Sequence, residues 1–221
     1  MQYLLERARW DAAGVRDDVR GYVAEHLGNA GAVLVFDETG DLKKGTGTAG
    51  VARQYTGTAG KVDNAQVAVY LSYASPAGHA LIDRELYLPD SWTSDRARCR
   101  AAGIPAGTGF ATKPALARKM IGRAAAAGVP FAWVTADEVY GDNGPLRADL
   151  EARQIAPVLA DSCDHPVPAG AVRAIRATRW RPVCPRGPGS GCPPTTAPRA
   201  TAGMTGPGPA LTPGVLAAAG C

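Results

Sequence analysis

The fold of this chain is decided by the stretch Val33-Leu-Val-Phe-Asp-Glu-Thr-Gly-Asp-Leu-Lys-Lys-Gly45. Four apolar residues lead into the acidic pair Asp37 and Glu38, and a pair of lysines follows. A short apolar run bounded by turn residues is typical of a buried strand, here at about residues 32–37. We therefore expect the acidic pair at the carboxyl end of that strand, which is the sheet edge where ligands gather in open α/β proteins. A carboxylate there, with cations close by, indicates a metal site facing a phosphate.

The charge of the chain is distributed unevenly. The 221 residues are 46% hydrophobic, which is enough to build the core of one domain. The net charge of +4 comes from the end of the chain, where six arginines and no acidic residue follow Asp164, whereas residues 1–164 carry 18 basic and 20 acidic groups. The basic balance is therefore no evidence that the folded part binds nucleic acid.

The cysteines and the N-terminus exclude several protein classes. None of the five cysteines forms a CxxC pair, so we expect reduced thiols rather than a zinc site. The N-terminus lacks the layout of a signal peptide, and no apolar run is long enough to span a bilayer. These features predict a cytoplasmic protein without membrane contact.

Hydrophobic periodicity predicts the order of helices and strands. A helix should begin at the N-cap Asp11, end at Gly28 and pack on the sheet through an apolar stripe. The stripe consists of Val15, Val19, Tyr22, Val23 and Leu27. After the strand at 32–37, further strands are predicted at 51–56, 64–75, 79–88, 131–136 and 155–160, and further helices at 95–102, 112–128 and 145–153. This order predicts an α/β fold with a mixed sheet and flanking helices. It is the order of an RNase H-like domain, except that such a domain continues into at least one more helix.

The chain divides into three predicted regions. Residues 1–30 form a helical lead-in, residues 31–165 form the α/β core, and residues 166–221 form a low-complexity tail. From Pro182 to Cys221 there are nine prolines and eight glycines in 40 residues. Such a composition cannot build a core, so we expect the tail to be disordered.

Two predicted strands end in an aspartate, Asp37 after Val-Leu-Val-Phe and Asp137 after Ala-Trp-Val-Thr-Ala. If both strands are central and adjacent, the two carboxylates meet at one edge of the sheet. Oxygen ligands of this kind suit Mg²⁺ or Mn²⁺, and two such ions about 4 Å apart can support phosphodiester cleavage. From spacing alone, a simpler structural role for each aspartate as a strand-end cap or turn former is the favoured interpretation.

The basic residues after Asp37 allow two interpretations. Lys43, Lys44, Arg53 and Lys61 lie in a region rich in Gly and Thr, which could follow a phosphate backbone. A solvated loop explains the composition equally well. The GxGxxG match at residues 45–50 follows no strand and opens no helix, so it does not predict a dinucleotide site.

Five motifs, in this order and spacing, carry a resemblance to a known family. They are Asp37–Gly45, Arg53–Val69, Leu86–Trp92, Thr112–Leu116 and Thr135–Asp142. Together they closely resemble bacterial insertion-sequence transposases with an RNase H-like DDE nuclease core. The resemblance covers about residues 1–165 and reverses the preference for a purely structural role of the two aspartates.

The resemblance implies a catalytic role for two carboxylates. Asp37 corresponds to the first acidic residue of the DDE triad and Asp137 to the second. They would hold two Mg²⁺ or Mn²⁺ ions for hydrolysis at the transposon ends and for strand transfer by the freed 3′-hydroxyl. Glu38 and Asp41 become secondary, because the motif does not place them at the metal.

Further residues take roles from the same resemblance. Tyr140 and Gly141 belong to the motif around the second aspartate. Lys113 joins the four basic residues named above as a candidate phosphate contact. The implied partners are transposon-end DNA and either a second copy of the chain or an intact transposase.

The chain departs from the family pattern at the third acidic residue. That residue is a glutamate on a later helix, preceded by a tyrosine and an arginine, whereas the last glutamate here is Glu151. Asp161 and Asp164 are the only later carboxylates, and they lie too early. We therefore expect a transposase fragment that is inactive alone. The alternatives are a non-catalytic DNA-binding or interaction remnant that modulates an intact transposase and, less favoured, a metal-dependent phosphohydrolase.

Overall fold

The computed structural model describes residues 10–162 and two short strands after them. The helices are α1 (Ala12–Leu27), α2 (Asp90–Thr93), α3 (Arg96–Ala101), α4 (Lys113–Ala126), α5 (Glu138–Gly141) and α6 (Gly144–Ala152). The strands are β1 (Val33–Leu42), β2 (Ala52–Thr56), β3 (Lys61–Ser75), β4 (Gly78–Leu86), β5 (Trp133–Ala136), β6 (Ala156–Leu159), β7 (Pro166–Pro168) and β8 (Ala174–Arg176). The predicted helices and strands between residues 11 and 160 are therefore present, with the boundaries changed by a few residues.

Several predictions lie outside the described residues. They concern the start of the lead-in at residues 1–9, four of the five cysteines and most of the tail. The fifth cysteine, Cys99, is a buried free thiol, as predicted. Within the predicted tail, the structure describes only β7 and β8, which pair antiparallel.

A mixed sheet in the order β2-β3-β1-β5-β6 forms the centre of the fold. β3 is long enough to pair with β2 near its start and with β4 further along. β1 pairs antiparallel with β3 and parallel with β5, which in turn pairs parallel with β6. None of the described helices is both long and apolar enough to cross a membrane.

β1 is longer than predicted. It continues past Asp37 to Leu42, because β3 offers antiparallel partners along the whole strand, from Ala74 to Ala65. Its parallel pairing with β5 covers only residues 33–35. Asp37 therefore lies where β1 leaves β5 rather than at the end of its own strand.

The main hydrophobic core lies between the sheet and α4. Alternate residues of β1 and β3 face α4, as expected for a strand with one face in the core. From β1 these are Leu34 and Phe36, and from β3 they are Val69, Leu71 and Tyr73. α4 contributes Leu116, Ala117, Met120, Ile121 and Ala124, which recur at helical spacing. This packing fixes the start of α4 next to the middle of β1.

The predicted apolar stripe of α1 is wrong in most of its positions. Val15, Val19 and Tyr22 are 44–64% exposed, and only Arg20 and Val23 of this helix are buried. Helix α1 is held at its buried face by Val23 and by a charge cluster that includes Arg16 and Arg20.

That charge cluster centres on Asp83 of β4, whose side chain is completely buried. Its carboxylate accepts hydrogen bonds of 2.9 and 3.0 Å from the guanidinium of Arg123 in α4. Arg16 and Arg20 of α1 lie 3.7 Å from the same carboxylate. Asp83 thus joins α1, β4 and α4, which hydrophobic periodicity could not indicate.

A second, smaller core supports α2 and α3. Trp92 is fully buried, and its indole Nε1 donates a 2.7 Å hydrogen bond to the carbonyl of Val51. The guanidinium of Arg98 lies 3.7 Å from the centre of the indole ring, and the thiol of Cys99 contacts the Trp92 carbonyl. This cluster anchors the β1–β2 connection on the two helices that follow β4.

Candidate metal centre

Three carboxylates converge where β1 leaves β5. Asp37, Glu38 and Asp137 each place one oxygen so that the three atoms lie within 4.8 Å of one another. Asp37 and Asp137 both lie two residues beyond the last aligned pair, Val35 and Thr135. Because adjacent parallel strands lie about 4.8 Å apart, this register alone places the two aspartates side by side.

Backbone amides hold one oxygen of each aspartate. The Oδ1 of Asp37 accepts a 2.7 Å hydrogen bond from the amide of Glu38. Asp137 is the N-cap of α5, and its Oδ1 accepts a 3.1 Å hydrogen bond from the amide of Val139. Within residues 10–162, neither Oδ2 atom accepts a hydrogen bond, so each aspartate keeps one oxygen available.

Glu38 has both of its carboxylate oxygens engaged. Its Oε1 forms an ion pair with the ammonium of Lys113, the first residue of α4. Its Oε2 accepts a 2.8 Å hydrogen bond from the hydroxyl of Tyr140 in α5. The glutamate therefore connects β1 with two helices that are distant in the sequence.

Gly141 allows α5 to approach the end of β6. A Cβ atom at this position would lie 1.7 Å from the carbonyl oxygen of Ala160, which is shorter than any tolerated contact. The backbone of Gly141 also donates a hydrogen bond of 2.9 Å to the carbonyl of Asp137. A glycine at this position is thus a packing requirement of the turn that carries Asp137.

The electrostatics of the cluster favour a bound cation. Partial burial and the neighbouring Glu38 raise the pKa of Asp137, and Asp37 and Glu138 act in the same direction. Burial and the adjacent Glu38 also raise the pKa of the Tyr140 phenol, so this hydroxyl stays protonated as a donor. Three carboxylates share the charge of one contacting lysine, and a divalent cation would offset the remaining repulsion.

The donor set fits Mg²⁺ or Mn²⁺. Both ions prefer oxygen ligands, and an Mg²⁺–oxygen distance of about 2.1 Å allows ligand oxygens to lie at most about 4.2 Å apart. The three carboxylate oxygens already lie within 4.8 Å. A side-chain adjustment of less than about 1 Å would therefore suffice to form the coordination shell.

Comparison with known proteins identifies the family. The family model described as DDE superfamily endonuclease matches residues 1–210. The chain belongs to this DDE endonuclease family. It is also 34% identical over 183 residues to the probable transposase for insertion sequence element IS701 of Microchaete diplosiphon. That alignment covers 82% of this chain and 45% of the relative, so the chain spans less than half the length of the curated relative that it matches. No solved structure matches the chain.

The match confirms the resemblance to insertion-sequence transposases with a DDE core. The fold brings together the two aspartates that this resemblance selected, although they are 100 residues apart in the sequence. Among the predicted phosphate contacts, Lys113 contacts the carboxylate cluster. The other four lie elsewhere on the chain.

The four remaining basic residues lie along the extension formed by β1, β2 and β3. Lys43 donates its backbone amide to Asn64, and Arg53 pairs with Asn64 from the opposite side of β3. Lys43 is six residues from Asp37, or about 20 Å along an extended strand. Lys61 lies further out, at the turn between β2 and β3, where it forms a 3.0 Å ion pair with Asp63. Lys44 is exposed between β1 and β2.

Glu38 is the residue that sequence reasoning undervalued. The family resemblance makes Glu38 secondary, but the structure places its carboxylate in the cluster and against Lys113 and Tyr140. Side chains alternate along a strand, and Glu38 is in register with the buried Leu34 and Phe36, so its side chain starts from the core face of β1 although its carboxylate reaches the same cluster as Asp37. That alternation is the signal that could have separated the roles of Asp37 and Glu38. The lysine partner, 75 residues away in the sequence, could not be found this way.

Proposed function

We propose that this chain carries the metal-dependent DNA-cleaving centre of an insertion-sequence transposase, built on an RNase H-like fold. The observation that carries this proposal is the convergence of the Asp37 and Asp137 carboxylates within 4.8 Å. Two aspartates that only cap strand ends would not need to lie next to each other. They would also not need a raised pKa in one of them or an available oxygen in each. Membership of the DDE endonuclease family supplies the reaction class.

The sheet topology supports the fold part of the proposal. β1, β3 and β4 form an antiparallel meander, and β5 and β6 extend it by parallel pairing on the other side of β1. This arrangement agrees with the element order of an RNase H-like domain that the sequence predicts. The carboxylates lie next to the central strand β1, where residues from several elements can meet.

In this proposal the available oxygens of Asp37 and Asp137 hold Mg²⁺ or Mn²⁺. When bound, the ions supply Lewis acidity at the scissile phosphate and neutralise its developing charge. Asp137 is oriented by its capping hydrogen bond to α5, and Asp37 is oriented by the amide of Glu38. These contacts restrain both carboxylates and would leave the second oxygen of each for the ion.

The DNA partner would be a transposon end, contacted by the basic residues of the β1–β3 extension. Lys43, Lys44, Arg53 and Lys61 are candidates for phosphate contacts, and their distance from the cluster would spread the contacts over several nucleotides. Assembly with a second copy of the chain, or with an intact transposase, belongs to the same proposal.

A nicking assay tests the proposed function. The substrate is supercoiled DNA that carries an insertion-sequence terminal repeat, with Mg²⁺ or Mn²⁺ added. Because the third acidic residue of the family has no counterpart in this sequence, we expect at most weak metal-dependent nicking by the unmodified chain, and Asp37→Asn and Asp137→Asn should each abolish it. Asp41→Asn is the matched control, because Asp41 is exposed on the same strand and makes only a loose 3.9 Å pair with Lys43. Equal nicking by all variants would exclude the assignment.

A non-catalytic DNA-binding role is the second candidate function. It is favoured by the two occupied oxygens of Glu38, which leave only two carboxylates with available oxygens. In that case the protein would bind DNA in a salt-sensitive way without cleaving it. Binding that persists in Asp37→Asn, together with absence of nicking in the unmodified chain, would support this role over the first.

A further inference from the structure

Lys113 occupies an unusual place for a lysine. It is the first residue of a 14-residue helix, where the helix dipole favours an anion and disfavours a cation. Its side chain is only 21% exposed and forms an ion pair with Glu38, which is 17% exposed. Pro114 and the capping hydroxyl of Thr112 fix this first turn. The position of Lys113 is therefore explained by the carboxylate cluster rather than by the helix that carries it.

The three carboxylates differ in what their oxygens contact. The two aspartates each use one oxygen for a backbone amide and keep the other available, as described above. Glu38 uses one oxygen for the Lys113 ammonium and the other for the Tyr140 hydroxyl. A cation that binds Glu38 therefore competes with the Lys113 ammonium for the negative charge of this carboxylate. The ion pair with Lys113 is the contact that a metal ion can replace, because the charge of the metal compensates for the loss of the lysine charge at the same carboxylate.

We propose that Lys113 is an internal counter-ion of the carboxylate cluster and that a divalent cation displaces it from Glu38. Glu38 then becomes the third carboxylate ligand, and the released ammonium is free to contact a DNA phosphate. This inference rests on the proposed metal site. Because binding equilibria are linked reciprocally, the ion pair lowers the affinity of the site for metal, and metal weakens the ion pair.

Mn²⁺ affinity, measured by titration calorimetry on the full chain without DNA, tests the exchange. Lys113→Met keeps most of the apolar stem and removes the charge, and we expect about tenfold tighter Mn²⁺ binding. Glu38→Gln should bind Mn²⁺ about tenfold more weakly. Lys113→Gln repeats the first test with a polar replacement, in case the methionine variant does not fold. Lys119→Met is the matched control, because Lys119 lies on the same helix but pairs with Glu85 at 3.0 Å, and its affinity should not change.

The double variant separates exchange from simple charge repulsion. In a Glu38→Gln background, Lys113→Met should change the Mn²⁺ affinity less than threefold, because the competition at Glu38 no longer exists. A full tenfold gain in that background, or no gain in the wild-type background, would overturn the proposal. Binding by Glu38→Gln equal to that of the unmodified chain would also overturn it. If Asp37→Asn and Asp137→Asn also bind Mn²⁺ normally, the proposed metal site itself fails, which is a distinct result.

Discussion

Replacement of Asp83 by alanine should destabilise the protein strongly, because Asp83 is the buried centre of the charge cluster between α1, β4 and α4. The side chain is completely buried and lies within 4 Å of three arginines. The Nε and Nη1 atoms of Arg20 are buried without hydrogen-bond partners in the intact protein, so the Asp83 carboxylate, 3.7 Å from Nη1, supplies the compensating charge that the substitution removes. Arg123 keeps Glu85 as its other partner, at 2.6 Å.

The magnitude follows from the burial. Removal of one partner from a buried ion pair costs about 3–5 kcal/mol, because an uncompensated charge stays behind. The total stability of a natural domain is about 5–15 kcal/mol. With an m-value of about 2 kcal/mol per molar urea, the unfolding midpoint should fall by about 2 M.

Equilibrium unfolding in urea, followed by tryptophan fluorescence, measures this shift. The matched control is Asp149→Ala, because Asp149 forms ion pairs with Arg118 and Arg153, both of which are about 40% exposed. Ion pairs of that kind contribute at most about 1 kcal/mol. If Asp83→Ala moves the midpoint no more than Asp149→Ala does, the buried cluster does not anchor α1 and the argument is refuted.

Three further predictions concern the metal centre and its supports. Asp137→Asn should raise the melting temperature in metal-free buffer at pH 7.5 but not below about pH 4. The raised pKa of Asp137 means that the folded protein favours its protonated carboxyl, so the ionisation of Asp137 costs stability as the pH rises. A lower melting temperature for the variant at pH 7.5 would contradict this reasoning. Gly141→Ala should cost about 3 kcal/mol or more in urea unfolding, since its Cβ would clash with a backbone carbonyl. Gly144→Ala is the control and should be neutral or stabilising, because its Cβ atom would contact no atom within 4 Å. Equal effects of Gly141→Ala and Gly144→Ala on the free energy of unfolding would contradict the packing argument. Trp92→Phe should lower the stability by about 1–3 kcal/mol, because the buried Val51 carbonyl loses its 2.7 Å donor and keeps only the 3.5 Å contact from Arg98. An unchanged urea midpoint would count against that hydrogen bond.

Local sequence signals predicted most of the fold. The alternation of Val67, Val69 and Leu71 indicated β3 and its buried face, and all three residues are buried. Capping residues located the helix starts, since the side chains of Asp11 and Thr112 both accept hydrogen bonds from the first turn of the helix that follows. These signals succeed because they act between residues that are close in the sequence.

Long-range polar contacts could not be predicted. Arg20 of α1 pairs with Asp83, more than 60 residues away, and periodicity alone did not indicate that Arg20 would be buried while Val15 and Val19 stay largely exposed. The length of β1 depends on β3, so the predicted strand ended five residues too early. In each case the deciding partner is distant in the sequence, and no local pattern encodes it.

The candidate site was predicted in part, for the same reason. The spacing of Asp37 and Asp137 alone did not distinguish metal ligands from strand-end caps, and the family resemblance made that choice. The structure adds the contact of Glu38 with Lys113 and Tyr140, which joins β1 to α4 and α5. An acidic residue that follows another acidic residue gives no local indication of such partners.

The central claim is that Asp37 and Asp137 share a divalent cation. Anomalous diffraction from a crystal soaked in Mn²⁺ would test it most directly, because the signal locates the ion without relying on activity. We expect a peak about 2.1 Å from a carboxylate oxygen of each aspartate, and we expect it to be absent in Asp137→Asn crystals treated in the same way. A Mn²⁺ peak that contacts neither aspartate, or one that persists unchanged in the variant, would contradict the account.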